Sequence, residues 1–226
     1  MTNAFITLEG PDGAGKSTQA LRLAESLRAR GTDVCLTREP GGTALGEAVR
    51  EVLLAPTNEV ARSALADALL FNASRAQLVT QIVRPALERG QTVICDRYTD
   101  STLAYQGYGG GLPLDGLREI ARRATGGLVP DLTILLDLPV AAGLARRRSG
   151  PPAGVTRFES EPAFDEGFHE RVRQGYLALA RQEPLRWRVV DADRAADEVA
   201  GGVLRLVGDV LERHAGEPSA SGTRIP

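Results

Sequence analysis

A doubly wound α/β fold, with five parallel strands and helices on both faces, follows from three features of this 226-residue sequence. Five short apolar runs alternate with longer stretches in which apolar residues recur at helical spacing. No hairpin signature separates successive runs, so crossover connections join them and the strands lie parallel. The first run ends in a glycine-rich loop that leads straight into a helix, the order a phosphate-binding βα unit requires.

Ala4 to Leu8 is the first strand, and Thr18 to Arg30 the first helix, with Ala20, Leu23, Ala24 and Leu27 on its apolar face and Gly31 as its C-cap. Val34 to Thr37 is the second strand, followed by a helix carrying Leu45, Val49, Val52 and Leu53. A long helix spans Ser63 to Glu88 on Leu65, Leu69, Leu78 and Ile82. Pro85 distorts its final turns, because it has no N–H to donate and its ring crowds the preceding turn. Thr92 to Cys95 is the third strand, and Asp100 to Gly107 reads as a short connection dense in hydroxyls and amide. No element is assigned between Gly107 and Pro130. Leu132 to Asp137 is apolar almost throughout and is expected at the centre of the sheet, covered on both faces. A short helix runs from Pro139 to Arg148, and a Gly/Pro-rich flap from Ser149 to Gly154. A helix over Phe164 to Gln182, a fifth strand over Trp187 to Val190 and a last helix carrying Val199, Val203, Leu206, Val207, Val210 and Leu211 complete the chain. Residues 1–213 form one domain with a lid at about 146–160, and 214–226 form a tail whose composition does not support a packed core.

The loop reads Gly10-Pro11-Asp12-Gly13-Ala14-Gly15-Lys16-Ser17-Thr18 and matches G-x-x-x-x-G-K-[ST] at each fixed position. Its backbone must curl until successive N–H groups face phosphate oxygens, in dihedrals a Cβ disfavours. Lys16 brings a mobile charge to the β- and γ-phosphates of a nucleotide, and the Ser17 hydroxyl suits Mg²⁺. Lys16 is also the only lysine among 27 Lys and Arg residues, so a composition that otherwise uses arginine keeps lysine here. The third strand runs into Asp96, a carboxylate placed to hold Mg²⁺ through its water shell, and Arg97 beside it suits a bidentate grip on phosphate. Arg38 and Glu39 stand at the tip of the second strand, so three strand tips converge on one edge of the sheet, where ligands of such folds bind. Phe71 and Arg75 share one side of the long helix; taken alone, Phe71 reads as a core residue. Arg146, Arg147 and Arg148, with Arg157 beyond the flap, are where a closing lid would carry charge to a transition state, although at least one belongs on a solvated helix face.

A net charge of −2 gives no electrostatic basis for binding nucleic acid or a membrane surface. No apolar run reaches membrane-spanning length and no signal-peptide pattern precedes the first strand, which points to the cytoplasm. Cys35 and Cys95 fall in strands and read as small core side chains, neither a disulfide framework nor a zinc site.

The segments F-I-T-L-E-G-P-D-G-A-G-K-S-T, T-R-E-P-G-G-T, L-F-N-A-S-R, D-R-Y-T-D-S-T-L-A-Y-Q-G and P-D-L-T-I-L-L-D-L, in this order from residue 4 onward, resemble the bacterial thymidylate kinases, a P-loop NTPase-type family. The resemblance implies transfer of the γ-phosphoryl of ATP to dTMP with Mg²⁺, in a homodimer. It implies that Asp12 approaches the monophosphate, with Arg38, Arg50 and Arg97 around the phosphate and Glu39 near the sugar and metal. It makes Phe71 the platform for thymine, against its reading as core, and has Arg75 reaching the base carbonyl. Thr102 and Gln106 would read the remaining base edge, and Tyr105 would crowd a ribose 2′-hydroxyl. Some family members carry an arginine in the loop where Gly13 stands here; this chain resembles the group with the catalytic arginine in the lid, which makes Arg148 and Arg157 the candidates, with Arg146 and Arg147 behind them.

Two rival readings make different demands. A nucleoside kinase needs a carboxylate base at the acceptor hydroxyl, for which Glu9 or Asp12 could serve, but three arginines suit an acceptor that already bears phosphate. A GTP-dependent switch protein needs an N-K-x-D element for guanine, and the sequence has none.

Overall fold

The computed structural model describes residues 3–55, 62–149 and 164–216. The flap beyond Ser149, Arg157 and the tail beyond Gly216 lie outside the described residues. The strands are β1 (Phe5–Glu9), β2 (Val34–Arg38), β3 (Thr92–Asp96), β4 (Leu132–Asp137) and β5 (Trp187–Asp191). They form one parallel sheet in the order β2-β3-β1-β4-β5. β1 lies at its centre with all five residues buried, and β4, between β1 and β5, is likewise an interior strand. Ile6 and Leu8 pack with helices α1 (Lys16–Ala29) and α9 (Ala196–Gly216), which contribute Leu23, Leu27, Val203 and Val207. Phe5 faces the opposite layer, with Leu78, Val79 and Val83.

That second layer begins with α2 (Ala44–Leu54) and α3 (Ala64–Leu78), capped by the Thr43 and Ser63 side chains respectively. The expected long helix is continuous but not uniform: α3 widens into a π-turn at Val79–Val83 before α4 (Arg84–Glu88). Pro85 sits in the first turn of α4, so the distortion expected of it takes the form of this widened turn just upstream. The supposed connection after β3 is helical, a correction to the sequence reading: α5 (Thr99–Thr102) runs into a π-helical segment, Leu103–Gly109. A helix that the sequence reading did not assign, α6 (Leu114–Thr125), follows; Leu117 and Ala121 are buried and Gly126 closes it in the left-handed conformation. The layer ends with α7 (Val140–Ser149) and α8 (Glu166–Gln182), whose Phe168, Val172, Tyr176 and Leu179 pack with Leu135, Tyr105 and Trp187.

The register aligns the C-terminal ends of three neighbouring strands. Asp96 lies opposite both Leu8 of β1 and Arg38 of β2, so Glu9, Arg38 and Asp96 emerge side by side at one edge. The chain crosses β1 between β3 and β4, and the crevice at such a reversal is where the loops part enough to admit a ligand.

Candidate active site

The phosphate loop wraps the N-terminus of α1. Gly15 occupies its N-cap in the left-handed conformation (φ 86°), which presents the first helical N–H groups to the inside of the loop without Cβ strain. Lys16 is buried and its Nζ donates to the Pro11 carbonyl at 2.8 Å, so the side chain folds back across the loop. Burial, and then the Arg97 charge, lower its pKa to about 8, although Asp12, Asp96 and Glu9 act in the opposite direction. Ser17 Oγ donates to Asp96 Oδ2 at 2.5 Å, which joins the loop to the tip of β3. Asp96 Oδ1 is buried and has no hydrogen-bond partner among the described residues.

A cleft opens beside the loop. Its loop end is lined by Asp12, Arg97 and Arg147, its outer wall by Glu39, Pro40 and Arg50, and its far end by Leu54 and Phe71. Ser101, Thr102, Tyr105 and Gln106 form the remaining wall. These four come from α5 and the π-helical segment, and π-turns of this kind recur at functional sites.

Asp12 is the hub of the loop end. Its Oδ1 accepts from Arg97 Nη2 at 2.5 Å and its Oδ2 pairs with Arg147 Nη1 at 3.2 Å. Burial pushes its carboxyl up, but Arg97, Lys16 and Arg147 outweigh that and hold it well below the usual carboxylate range. Arg97 is the one non-glycine with positive φ (71°) among the described residues, a strained backbone that turns its side chain back over the loop. Its guanidinium also donates to Tyr105 Oη at 3.2 Å, Tyr176 Oη at 3.0 Å and Ser101 Oγ at 3.1 Å.

The other site candidates fall into three groups. Phe71, Thr102, Tyr105, Gln106, Glu39 and Arg50 line the cleft, and Arg50 Nη1 donates to the Pro40 carbonyl at 2.9 Å. Arg75 lies beneath the cleft instead of on its surface: it is buried and donates to Glu39 Oε2, Asn72 Oδ1, the Tyr98 carbonyl and Thr102 Oγ1. Arg38 is half exposed and forms two hydrogen bonds to Glu47 at the mouth, outside the cleft lining. Of the arginines expected in a lid, Arg146 reaches the Ala192 carbonyl, Arg148 is exposed, and Arg147 faces Asp12; Arg157 lies outside the described residues. Ser101 and Tyr176 were missed by sequence reasoning. Tyr176 occupies an apolar position of its helix, and only its hydroxyl distinguishes it from its neighbours there.

A family model described as Thymidylate kinase matches residues 8–201. A thymidylate kinase of Deinococcus radiodurans is 55% identical over 206 residues, covering 91% of this chain and 96% of that protein. One of Thermomicrobium roseum is 55% identical over 209 residues, covering 92% and 96% respectively. The crystal structure of thymidylate kinase from Ehrlichia chaffeensis matches with a TM-score of 0.74 at 32% identity, over 92% of this chain and 100% of that one.

Proposed function

The chain belongs to the thymidylate kinase family and transfers the γ-phosphoryl group of ATP to dTMP, giving dTDP; we propose that dTMP occupies the cleft between Phe71 and the phosphate loop, that Lys16 and Arg147 hold the transferring phosphoryl, and that Arg97 holds the acceptor phosphate. The observation that carries this reading is the cleft's polarity. Cationic groups gather around Asp12 at the end touching the loop, while an aromatic ring, a hydroxyl and an amide stand at the other.

The dTMP phosphate lies toward Arg97 and Arg50, with Arg38 able to join from the mouth by exchanging Glu47 for phosphate. Thymine stacks on Phe71, and Thr102 and Gln106 read its edge. Arg75 acts through Thr102: because it donates to Thr102 Oγ1, that hydroxyl is left free to donate its own proton to the base. Glu39 lines the same cleft, and its Oε1, buried and without a hydrogen-bond partner among the described residues, suits a sugar hydroxyl. No general base is needed, because the acceptor oxygen belongs to an ionised phosphate; catalysis is positioning and charge stabilisation.

Mg²⁺ fits the donor set at Ser17 and Asp96. Both supply hard oxygens, and the unpartnered Asp96 Oδ1 is the kind of atom a hydrated cation satisfies. The bound ion would neutralise charge on the phosphates, while Ser17 and Asp96 fix where it sits. Among the described residues no cluster of three metal-ligating side chains exists, which suits an ion held largely by substrate and water.

Two further properties accompany this reading. Leu45 and Val52 of α2, with Leu65 and Leu69 of α3, stay about half exposed on two helices packed together, an apolar face suited to a second copy of the chain in an isologous homodimer. The protein works in the cytoplasm, and no helix among the described residues is long and apolar enough to cross a membrane.

A coupled ADP-release assay with ATP and Mg²⁺, offering dTMP, dUMP, dCMP, AMP, GMP, thymidine and water separately, tests the reading. Turnover with dTMP well above all others is expected. Equal turnover with thymidine would remove the case for an arginine-held acceptor phosphate.

A further inference from the structure

Glu9 ends the central strand β1, is completely buried and does not line the cleft. A carboxyl in that position must be accounted for, because an unpaired buried charge is costly. Its Oε1 accepts the Tyr98 N–H at 2.7 Å, which fixes the turn just after Arg97. Its Oε2 stands 2.6 Å from Ser101 Oγ and 3.0 Å from Tyr176 Oη, and those two hydroxyls are 2.8 Å from each other. Both also accept from Arg97 Nη1.

Counting protons decides the state of this triangle. Three oxygen–oxygen contacts need three protons, and the two hydroxyls supply two. With Glu9 ionised, both hydroxyl protons turn to the carboxylate, and Ser101 and Tyr176 are left facing each other with lone pairs only. With a proton on Glu9 the ring closes: Glu9 donates to Ser101, Ser101 to Tyr176 and Tyr176 back to Glu9, while each hydroxyl still accepts from Arg97. We propose that Glu9 is a positioning residue for the acceptor-phosphate arginine, working with a proton on its carboxyl, so that the closed ring orients Arg97 without adding a carboxylate charge to that of Asp12, which already pairs with it. The proposal rests on the reading of Arg97 as the group that holds the dTMP phosphate.

The surroundings agree with that state. Burial and the nearby Asp100 of α5 push the Glu9 carboxyl up to about 7, against the opposing pull of Arg97 and the hydrogen bonds from Ser101 and Tyr98. Asp100 is itself paired with Arg186 at 2.7 Å. The remaining titratable groups near Glu9 are Lys16 of α1, Cys95 of β3 and Tyr176 of α8, and burial pushes the Cys95 thiol and Tyr176 phenol well up, so both stay neutral. As pH rises, ionised Glu9 becomes a further anion beside Arg97, added to Asp12 and Asp96, and competes with the dTMP phosphate for it.

The test is the KM for dTMP at saturating ATP, which holds Lys16 charged, from about pH 6.5 to about pH 8.5, expressed for the phosphate dianion. In the unaltered protein KM should rise about tenfold across that range. Glu9→Gln puts a neutral amide there, whose NH₂ donates to Ser101 but, unlike the carboxyl, cannot accept from Tyr176, so its KM should be flat with pH and lie nearer the low-pH value than the high-pH one. Glu9→Asp keeps an ionisable carboxyl but is too short to span the triangle, and should give a high KM throughout. KM for ATP should move little in either variant. A Glu9→Gln protein whose dTMP KM still climbs with pH, or matches Glu9→Asp, would overturn the proposal. In a ¹³C carboxyl NMR titration, the resonance missing from Glu9→Gln should shift near pH 7, and a midpoint at an ordinary carboxylate value would also overturn it. Arg97→Ala separates the two readings: if its dTMP KM is unchanged, the assignment of Arg97 fails, whereas a large rise there with no Glu9 effect refutes the role of Glu9 alone.

Discussion

Gly13 of the phosphate loop and Gly143 of α7 meet backbone to backbone. A Cβ on Gly13 would overlap the Gly143 carbonyl, and one on Gly143 would overlap the carbonyl of Asp12. α7 is therefore seated directly on the loop, and this contact leaves no room for a loop arginine: any side chain at Gly13 must displace α7, while φ there is 81°. Gly13→Arg should consequently fail to install a loop arginine, and should destabilise the protein by about 2 kcal/mol or more through overpacking and strain. Urea unfolding and kcat measured together check this. Wild-type stability with raised kcat would contradict it.

Arg147 of α7 reaches Asp12, and Arg148 on the next position of the same helix is exposed to solvent. Under the proposed reading, a cation already at the loop end of the cleft would stabilise charge that develops on the transferring phosphoryl. Arg147→Ala should lower kcat by about 10²-fold or more, in the range expected for loss of a transition-state donor, and Arg148→Ala should stay within about threefold of the unaltered protein. Steady-state kinetics with both substrates saturating distinguishes the two. Comparable losses in both variants would return Arg148 to the site.

The strands were legible because each is a short apolar run ending in a charged or polar residue, and all five lie within a residue or so of where the periodicity puts them. That Lys16, Ser17, Asp96 and Arg97 gather at one edge of the sheet was legible because fixed spacing and strand-tip position place them there. The π-helical segment over Leu103–Gly109 was not, since a wider turn has no apolar period that separates it from a loop. α6 lay between Gly109-Gly110-Gly111 and Gly126-Gly127, and this punctuation masked the pattern of Leu117 and Ala121. Arg75 illustrates a different limit. Its position on the helix face of Phe71 was readable, but whether a guanidinium enters the cleft or supports it from below depends on Glu39, Asn72 and Thr102, which come from separate parts of the chain.

Lys16 ties pH to ATP use. With a free-enzyme pKa lowered to about 8 by burial and then by Arg97, it loses its proton well before an exposed lysine would. The kcat/KM for ATP should therefore fall with unit slope above about pH 8. Bound phosphates favour the ammonium, so the corresponding limb of kcat should lie at higher pH. Paired pH profiles check the separation, and coincident limbs would point to another group.

The Arg75–Glu39 pair sets the last expectation. Both side chains are buried, and their charged atoms approach to 2.7 Å. Removing the cation strands a carboxylate inside the protein, so Arg75→Met should cost about 3–5 kcal/mol, whereas Arg75→Met with Glu39→Gln should recover part of that because no buried charge remains. Burial raises the Glu39 carboxyl and Arg75 opposes the rise; without Arg75 it rises further, and the folded variant holds a proton that the unfolded chain lacks. The stability of Arg75→Met relative to the unaltered protein should then improve as pH falls from about 8 toward about 5. Denaturation curves across that range check the sign. A deficit independent of pH would mean that the loss comes from packing of the arginine stem and from the hydrogen bonds to Asn72, Tyr98 and Thr102, not from the uncompensated charge.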